Sequence, residues 1–299
     1  MSEHVPTLSA KAIETDAFAR AIATAYERYG FVVIADHGIG QHLIDDCLAA
    51  CREFFALPEA VKRRYHAPGG GGARGYTPFG IETAKRATHP DLKEFWHVGR
   101  ETTPNARVAE VPRFRERTLA LWDAYDALGR RLLGAIACAL ALPREYFENK
   151  VNEGDSVLRV LHYPPVEGDP GGMRAGEHED INVITLLLGA EEPGLEIRTR
   201  EGEWLPVDPL PGSVVCNVGD MLQRLTNGVL RSTTHHVVNP AGEHAGRSRY
   251  AMPYFLHFNP DFEIRTLPSC VSADTPDRFP EPITANAYLQ QRLKEIGLL

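Results

Sequence analysis

Residues 176–188, GEHEDINVITLLL, lead from a polar start into a run of β-branched and aliphatic side chains. The apolar part predicts a buried strand. On an extended chain, residues i and i+2 point to the same side, so we expect His178 and Asp180 to aim an imidazole and a carboxylate at one point. Both groups are common metal ligands. Because a His-x-Asp triplet arises by chance in many chains, the pair alone also fits a solvated edge.

A second stretch, residues 226–238 with the sequence TNGVLRSTTHHVV, places His235 57 residues after His178. Strands distant in sequence are neighbours across a jelly roll, so a third ligand at this separation is geometrically natural. Two histidines and one carboxylate form the facial triad of non-haem iron sites, whereas a closed structural zinc site needs a fourth ligand. His235 and His236 are neighbours that face opposite sides of a strand, so only one of them can join such a triad.

The pattern around these stretches predicts an α+β fold, mainly β, with a double-stranded β-helix (jelly-roll) core. Short β-rich runs follow Pro143, at residues 157–161, 181–188, 194–198, 214–217, 229–238 and 250–258. Helical periodicity covers residues 13–29, 41–55 and 115–140 before the core and 285–296 after it, with a short strand at 31–35. We therefore predict three segments: a helical N-terminal region over 1–150 that packs on the core, the jelly-roll core over 151–262, and a C-terminal extension with a helix over 263–299.

Composition narrows the class of protein. The 299 residues carry 32 basic and 40 acidic side chains, a formal net charge of −8, and 43% of them are apolar. There is no basic block of the kind that nucleic-acid binding needs, and no apolar run long enough for a membrane span. The first 18 residues lack the pattern of a secretory signal, and five scattered cysteines suit reduced thiols. We expect a cytoplasmic protein that binds a small molecule, and the sequence leaves its oligomeric state open.

Arg249 is an arginine inside an otherwise apolar strand pattern, RSRYAMPYF over residues 247–255. A guanidinium that points into a barrel is costly unless an anion meets it, and its fork matches a carboxylate. The pattern therefore favours an acidic ligand at Arg249. It also fits an arginine that points outward or pairs with a carboxylate of the protein.

Taken together, these motifs resemble the isopenicillin N synthase-like branch of the Fe(II)/2-oxoglutarate-dependent dioxygenases, over nearly the whole chain. The resemblance implies that His178, Asp180 and His235 bind iron, since the family has a His-x-Asp strand and a later Ser-x-x-His, here Ser232 to His235. It also implies that Arg249 and Tyr163 bind 2-oxoglutarate as cofactor-binding residues. Tyr163 matches the family's tyrosine before a proline, in LHYPP. The resemblance implies no catalytic residue beyond the metal ligands.

The same resemblance implies an enzyme that uses Fe(II), 2-oxoglutarate and O2 to oxidise, usually to hydroxylate, a small molecule, with release of succinate and CO2. Two other functions stay open: a 2-oxoglutarate-independent Fe(II) oxidase that uses Arg249 for its substrate's carboxylate, and a non-catalytic jelly-roll binding protein. The chain departs from the family at two positions. Ala251 replaces a serine that helps to hold the carboxylate, and His236 replaces an arginine.

Several further residues have simpler interpretations. His97, His162 and His257 lie in apolar surroundings and are predicted to be packed, hydrogen-bonded histidines. The four glycines at 69–72 predict a mobile loop, either a surface loop or a segment that folds over the mouth of the barrel.

Overall fold

A computed structural model describes residues 4–66, 74–82, 90–100, 105–165, 173–188, 194–208, 210–239 and 246–295. Its α-helices are α1 Asp16–Arg28, α2 Gln41–Phe55, α3 Glu59–Lys62, α4 Phe114–Ala139, α5 Glu148–Val151, α6 Asp220–Leu225 and α7 Ala285–Glu295. Its strands are β1 Thr7–Ser9, β2 Phe31–Ala35, β3 Gly75–Thr77, β4 Glu94–Gly99, β5 Val157–Tyr163, β6 Ala175–His178, β7 Ile184–Leu188, β8 Leu195–Arg198, β9 Trp204–Pro206, β10 Val214–Val218, β11 His235–Val237, β12 Arg249–Ala251, β13 Pro253–Leu256, β14 Glu263–Ile264 and β15 Ile283–Thr284.

The larger of the two facing sheets has the order β1-β2-β10-β7-β13-β5-β4-β3, and β12 also pairs with β5. Apart from the parallel pair β1 and β2, its strands run antiparallel. The centre of this sheet comes from the β-rich half of the chain, while both edges come from the first 100 residues. The N-terminal region therefore extends the main sheet as well as supplying helices.

The smaller sheet has the order β6-β11-β8-β9 and packs against one end of the larger sheet. The apolar layer between them includes Phe31 and Val33 of β2, Val215 of β10, and Leu195 and Ile197 of β8. Two antiparallel sheets that bury such a layer form the predicted jelly roll, and the fold class is confirmed.

The helices cover the outer face of the larger sheet. Helix α4 lies against the sheet through Tyr125, whose hydroxyl donates to the Met252 carbonyl at 2.9 Å and accepts from the Leu188 amide at 3.0 Å. Gly129 lets the helix approach further, because a Cβ there would lie 2.7 Å from Leu256 Cδ1. Among the helices that the structure describes, none is long and apolar enough to cross a membrane.

Some local expectations were wrong. His178 ends β6, but Asp180 lies beyond the strand, and β7 begins only at Ile184. The chain bends at Asn182 and Val183, after Asp180, and His178 and Asp180 lie together as their spacing predicts. The strand expected at 229–238 shortens to β11, because residues 229 and 230 form a bend and Ser232 makes only an isolated bridge to Val218. The glycine run at 69–72 lies outside the described residues.

Gly30 connects the end of α1 to β2 and packs against the segment that leads into β11, which carries His235. Its φ is +71°, and a Cβ there would lie 2.3 Å from Thr233 Oγ1 and 2.5 Å from the Arg231 carbonyl oxygen. Only glycine allows both this left-handed turn and this close approach of two backbones. Gly38 has a similar φ of +80° but nothing within 4 Å of its Cβ position.

We expect Gly30→Ala to lower the free energy of unfolding by at least about 1 kcal/mol more than the control Gly38→Ala, because overpacking adds to the backbone strain. Urea denaturation of the two variants measures this difference. Equal losses would show that backbone strain alone, and not the close approach to Thr233, requires a glycine.

Candidate metal centre

Three side chains from two parts of the chain meet between the two sheets. His178 ends β6, Asp180 follows it by two residues, and His235 lies on β11. The two Nε2 atoms lie 3.8 and 3.9 Å from Asp180 Oδ1, and one ligand atom of each residue lies within 4.8 Å of the others. Among the described residues, this is the one group of three or more potential ligands with such spacing.

The orientation of both imidazoles is fixed by the backbone. Nδ1 of His178 lies 2.7 Å from the Gly176 carbonyl oxygen, and Nδ1 of His235 lies 3.0 Å from the Thr233 carbonyl oxygen. A carbonyl only accepts, so each Nδ1 carries the proton and each Nε2 keeps a lone pair. Both lone pairs then face the Asp180 carboxylate, which is the tautomer that metal binding requires.

Asp180 is held from the opposite sheet. Its Oδ2 accepts hydrogen bonds from the Thr185 hydroxyl of β7 at 2.6 Å and from the Asn217 amide of β10 at 2.8 Å. Burial would raise the pKa of Asp180, but His235, His178 and these two donors together hold it below its ordinary value. Asp180 is therefore ionised at neutral pH, with Oδ1 aimed at the two histidines.

The site opens on the side of His178. This side chain keeps 38% of its surface exposed, against 9% for His235 and 6% for Asp180. The protein around the ring and the neighbouring His235 imidazole lower the pKa of His178 to about 4. The exposed ligand is thus a neutral donor at neutral pH, and small molecules can reach the cluster from its side.

His236 points away from the cluster. Its Nε2 lies 2.8 Å from Glu196 Oε2, and its ring stacks on Trp204 with 3.7 Å between the centroids. Alternation along β11 therefore resolves the ambiguity between the two adjacent histidines: His235 lies beside Asp180, and His236 packs on the other face of the smaller sheet.

Arg249 and Tyr163 lie side by side on the inner face of the larger sheet. They are register partners between β12 and β5, and the guanidinium carbon lies 5.1 Å from the centre of the tyrosine ring. Both are buried, together with Ala251. The alternative of an outward-pointing Arg249 is therefore wrong, and a buried cation faces the interior of the barrel.

Sequence reasoning missed three polar residues of the interior. Thr185 and Asn217 hold Asp180, and Arg174 is a fully buried arginine whose guanidinium lies 5.8 Å from the Tyr163 ring. Arg174 precedes His178 by four positions, so the two-residue period of a strand was a usable signal for it. Thr185 and Asn217 carry no such signal, because each lies among apolar residues of an ordinary strand.

The three remaining histidines of interest lie elsewhere in the fold. His162 lies between Glu94, 2.8 Å from its Nδ1, and Ser248, 3.1 Å from its Nε2. Nε2 of His97 accepts from Nε of Arg159 at 2.6 Å. His257 is surrounded by protein, which lowers its pKa to about 4. None of the three belongs to the ligand cluster found among the described residues.

Family models match both halves of the chain. Residues 5–120 match the family described as the N-terminal region of the non-haem dioxygenase in morphine synthesis, and residues 154–258 match the 2OG-Fe(II) oxygenase superfamily. The second match includes all three residues of the cluster, Tyr163 and Arg249.

Similar proteins cover nearly the full length. The proline hydroxylase buaE of Petromyces alliaceus is 35% identical, over 93% of this chain and 93% of its own. A crystal structure of a 2OG-Fe(II) oxygenase family protein from Caulobacter crescentus is 50% identical, with a TM-score of 0.91 over 99% of this chain and 100% of that chain. The structure of full-length Neurospora crassa T7H with alpha-KG and thymine is 29% identical, with a TM-score of 0.87 over 97% and 96%.

We expect Thr185→Val and Asn217→Leu each to weaken metal binding about tenfold to one-hundredfold, because a ligand's outer hydrogen bonds orient it. Anaerobic titration with Fe(II) measures the affinity. The control is Thr199→Val, on a turn outside the site. If both site variants bind Fe(II) with unchanged affinity, the hydrogen bonds from Thr185 and Asn217 are not needed to orient Asp180.

Proposed function

We propose that His178, Asp180 and His235 hold the Fe(II) of this enzyme, because the chain belongs to the 2OG-Fe(II) oxygenase superfamily and these residues form its ligand cluster. The protein is a 2-oxoglutarate-dependent dioxygenase that uses Fe(II), 2-oxoglutarate and O2. The observation that carries the assignment of ligands is the convergence of the two Nε2 atoms on Asp180 Oδ1.

The donor set suits Fe(II). Two imidazole nitrogens and one carboxylate oxygen are the ligands of non-haem iron oxygenases, and three protein ligands leave coordination positions for other molecules. The orientation of the donors also fits, since both Nδ1 atoms are bonded to carbonyls and Asp180 Oδ2 is bonded to Thr185 and Asn217. When bound, the metal supplies the activation of dioxygen that no side chain provides.

Arg249 and Tyr163 are the residues that we assign to 2-oxoglutarate. The buried guanidinium of Arg249 offers a planar pair of donors that match a carboxylate, and Tyr163 adds a hydroxyl beside it. The distal carboxylate of 2-oxoglutarate is the anion that this pair fits. Ala251, the next residue on the same face, has no hydroxyl group. In this protein Arg249 and Tyr163 therefore bind the carboxylate without the serine that assists them in the family.

The protein contributes geometry and a dry interior. The Phe31 ring lies 5.3 Å from that of His235 and packs at its edge, and Val33 and Val215 continue the apolar layer behind it. These side chains limit the access of water to the metal from the inside of the barrel, so small molecules approach from the open side at His178.

The substrate is proposed to be a small molecule. The similar T7H protein of Neurospora crassa binds thymine, and the net charge of −8 makes a polyanionic partner of this chain unfavourable. We also propose that the segments 1–150, 151–262 and 263–299 work as one catalytic unit, because strands β1 to β4 belong to the same sheet as the core strands.

We expect His235→Ala to abolish Fe(II)-dependent turnover of 2-oxoglutarate, whereas His236→Ala, its neighbour on the opposite face, keeps it. The test adds Fe(II) and 2-oxoglutarate without oxygen, follows the visible charge-transfer band expected for this family, and then assays succinate after air is admitted. His178→Ala and Asp180→Ala should behave as His235→Ala does. Retained turnover in any of these three variants would remove that residue from the ligand set.

We expect Arg249→Met to raise the Kd for 2-oxoglutarate about tenfold to one-hundredfold, the value of hydrogen bonds to a charged partner. Tyr163→Phe should raise it about tenfold, because one hydrogen bond to the carboxylate is lost. Calorimetric titration of the Fe(II) protein under anaerobic conditions gives both values. A wild-type protein that oxidises substrate without forming succinate would instead support the oxidase in which Arg249 binds the substrate.

A further inference from the structure

Arg159 is a second arginine on the inner face of the larger sheet. It lies on β5, four residues before Tyr163 and therefore on the same face. Its guanidinium carbon is 4.4 Å from the centre of the Phe95 ring and 5.4 Å from that of the Phe255 ring. The cation thus contacts two aromatic side chains, and 19% of the side-chain surface remains exposed.

The guanidinium is fixed along two of its edges. Nε donates to His97 Nε2 at 2.6 Å, and Nη1 donates to the two carboxylate oxygens of Glu82 at 3.2 and 3.1 Å. Within the described residues, Nη2 makes no hydrogen bond. Arg159 therefore holds Nη2 in a fixed position, and its two N–H groups can donate to a further acceptor.

The charge of this arginine is already compensated. Glu82 also pairs with Lys93 at 2.7 Å, and Lys93 pairs with Asp91 at 2.7 Å. Burial would raise the pKa of Glu82, but Arg159 and Lys93 hold it far below its ordinary value. The four groups are two cations and two anions, so the cluster is neutral at neutral pH.

Two connections place this cluster beside the metal centre. Phe255 is the register partner of Thr185, whose hydroxyl bonds to Asp180. From the other side, Asp91, the partner of Lys93, accepts a hydrogen bond at 3.2 Å from the amide of Gly176, two residues before His178. Phe255 therefore lies beside Thr185 on one side and contacts Arg159 on the other.

The position of Arg159 differs from that of the 2-oxoglutarate residues. Four residues of extended chain, about 13 Å, separate it from Tyr163. Arg249 is the register partner of Tyr163 at the far end of this span. One inner face thus carries a buried arginine, Arg249, and a partly exposed one, Arg159, at separate positions.

We propose that Arg159 binds the primary substrate through Nη2, and that this substrate is a neutral flat ring that carries a carbonyl oxygen. A carboxylate would bring a net negative charge next to Glu82, while a carbonyl accepts the N–H group without that repulsion. A flat ring packs on Phe255 beside the guanidinium. The inference rests on the proposed function, because the oxidised molecule must lie next to the metal.

Three aromatic probes of similar size separate these chemistries: 2-pyridone with a ring carbonyl, benzoate with a carboxylate, and toluene with neither. Ligand-observed NMR titrations use the full chain with 2-oxoglutarate and Zn(II) in place of Fe(II). We expect 2-pyridone to bind more tightly than the other two. Arg159→Met should weaken its binding about tenfold or more. The exposed arginine variant Arg113→Met is the matched control and should change nothing.

Glu82→Gln distinguishes a role of Arg159 in substrate binding from a role in stabilising the fold alone. Glutamine keeps a hydrogen-bond acceptor for Arg159 but removes the compensating charge. We expect benzoate to bind about tenfold more tightly to this variant, while the affinity for 2-pyridone changes little. If the Glu82→Gln protein binds none of the probes and its far-UV circular dichroism spectrum is that of an unfolded chain, the variant has a folding defect. Arg159→Lys, which keeps the positive charge, then replaces it, and we expect this variant to bind 2-pyridone about tenfold more weakly.

The result that overturns the proposal is tighter binding of benzoate or toluene to the wild-type protein, no saturable binding of 2-pyridone, or an Arg159→Met protein that binds it unchanged. Succinate formation with Fe(II) and 2-oxoglutarate alone is measured on the same preparations. Its presence in the wild-type protein together with any of these results refutes the substrate class and leaves the proposed function intact. Its absence refutes the proposed function itself.

Discussion

The two hydrogen bonds to Asp180 Oδ2 join the halves of the barrel at the place where the chemistry occurs. Asp180 follows a strand of the smaller sheet, while Thr185 and Asn217 belong to the larger one. A buried carboxylate is stable only if it is paired and hydrogen-bonded, so the packing of the sheets and the ionisation of the ligand depend on each other. The remaining features of the interior, from the fixed imidazoles to the open side at His178, are arranged around this carboxylate.

The sequence was a good guide to features with a strong period. Helix α2 and strand β2 have the predicted bounds, and α4 begins and ends one residue earlier than expected. It was a poor guide to β3 and β4, because their residues alternate little: β4 is buried along its whole length, including Glu94 and His97. A strand buried on both faces by charged and aromatic side chains lacks the apolar pattern on which the prediction relied.

The same distinction holds for the site. Spacing and resemblance predicted that His178, Asp180 and His235 would lie together, and the structure brings the three side chains together. Glu82 and Lys93 could not be found, because a buried ion pair is visible only once two distant segments are brought together. A short stretch of sequence shows which charged residues are present. It does not show whether their charges cancel, because that depends on contacts between residues from distant parts of the chain.

The residues that hold Arg159 come from a different part of the chain than the arginine itself. Arg159 belongs to the core, whereas Glu82, Phe95 and His97 come from the N-terminal half, on β4 and the segment before it. The residues proposed to bind the metal and 2-oxoglutarate all lie after residue 160. Substitutions around residues 82–97 can therefore alter which molecule is oxidised while the residues proposed for the metal and for 2-oxoglutarate are kept. Specificity and oxidising chemistry can then change separately during evolution, although both depend on one continuous sheet.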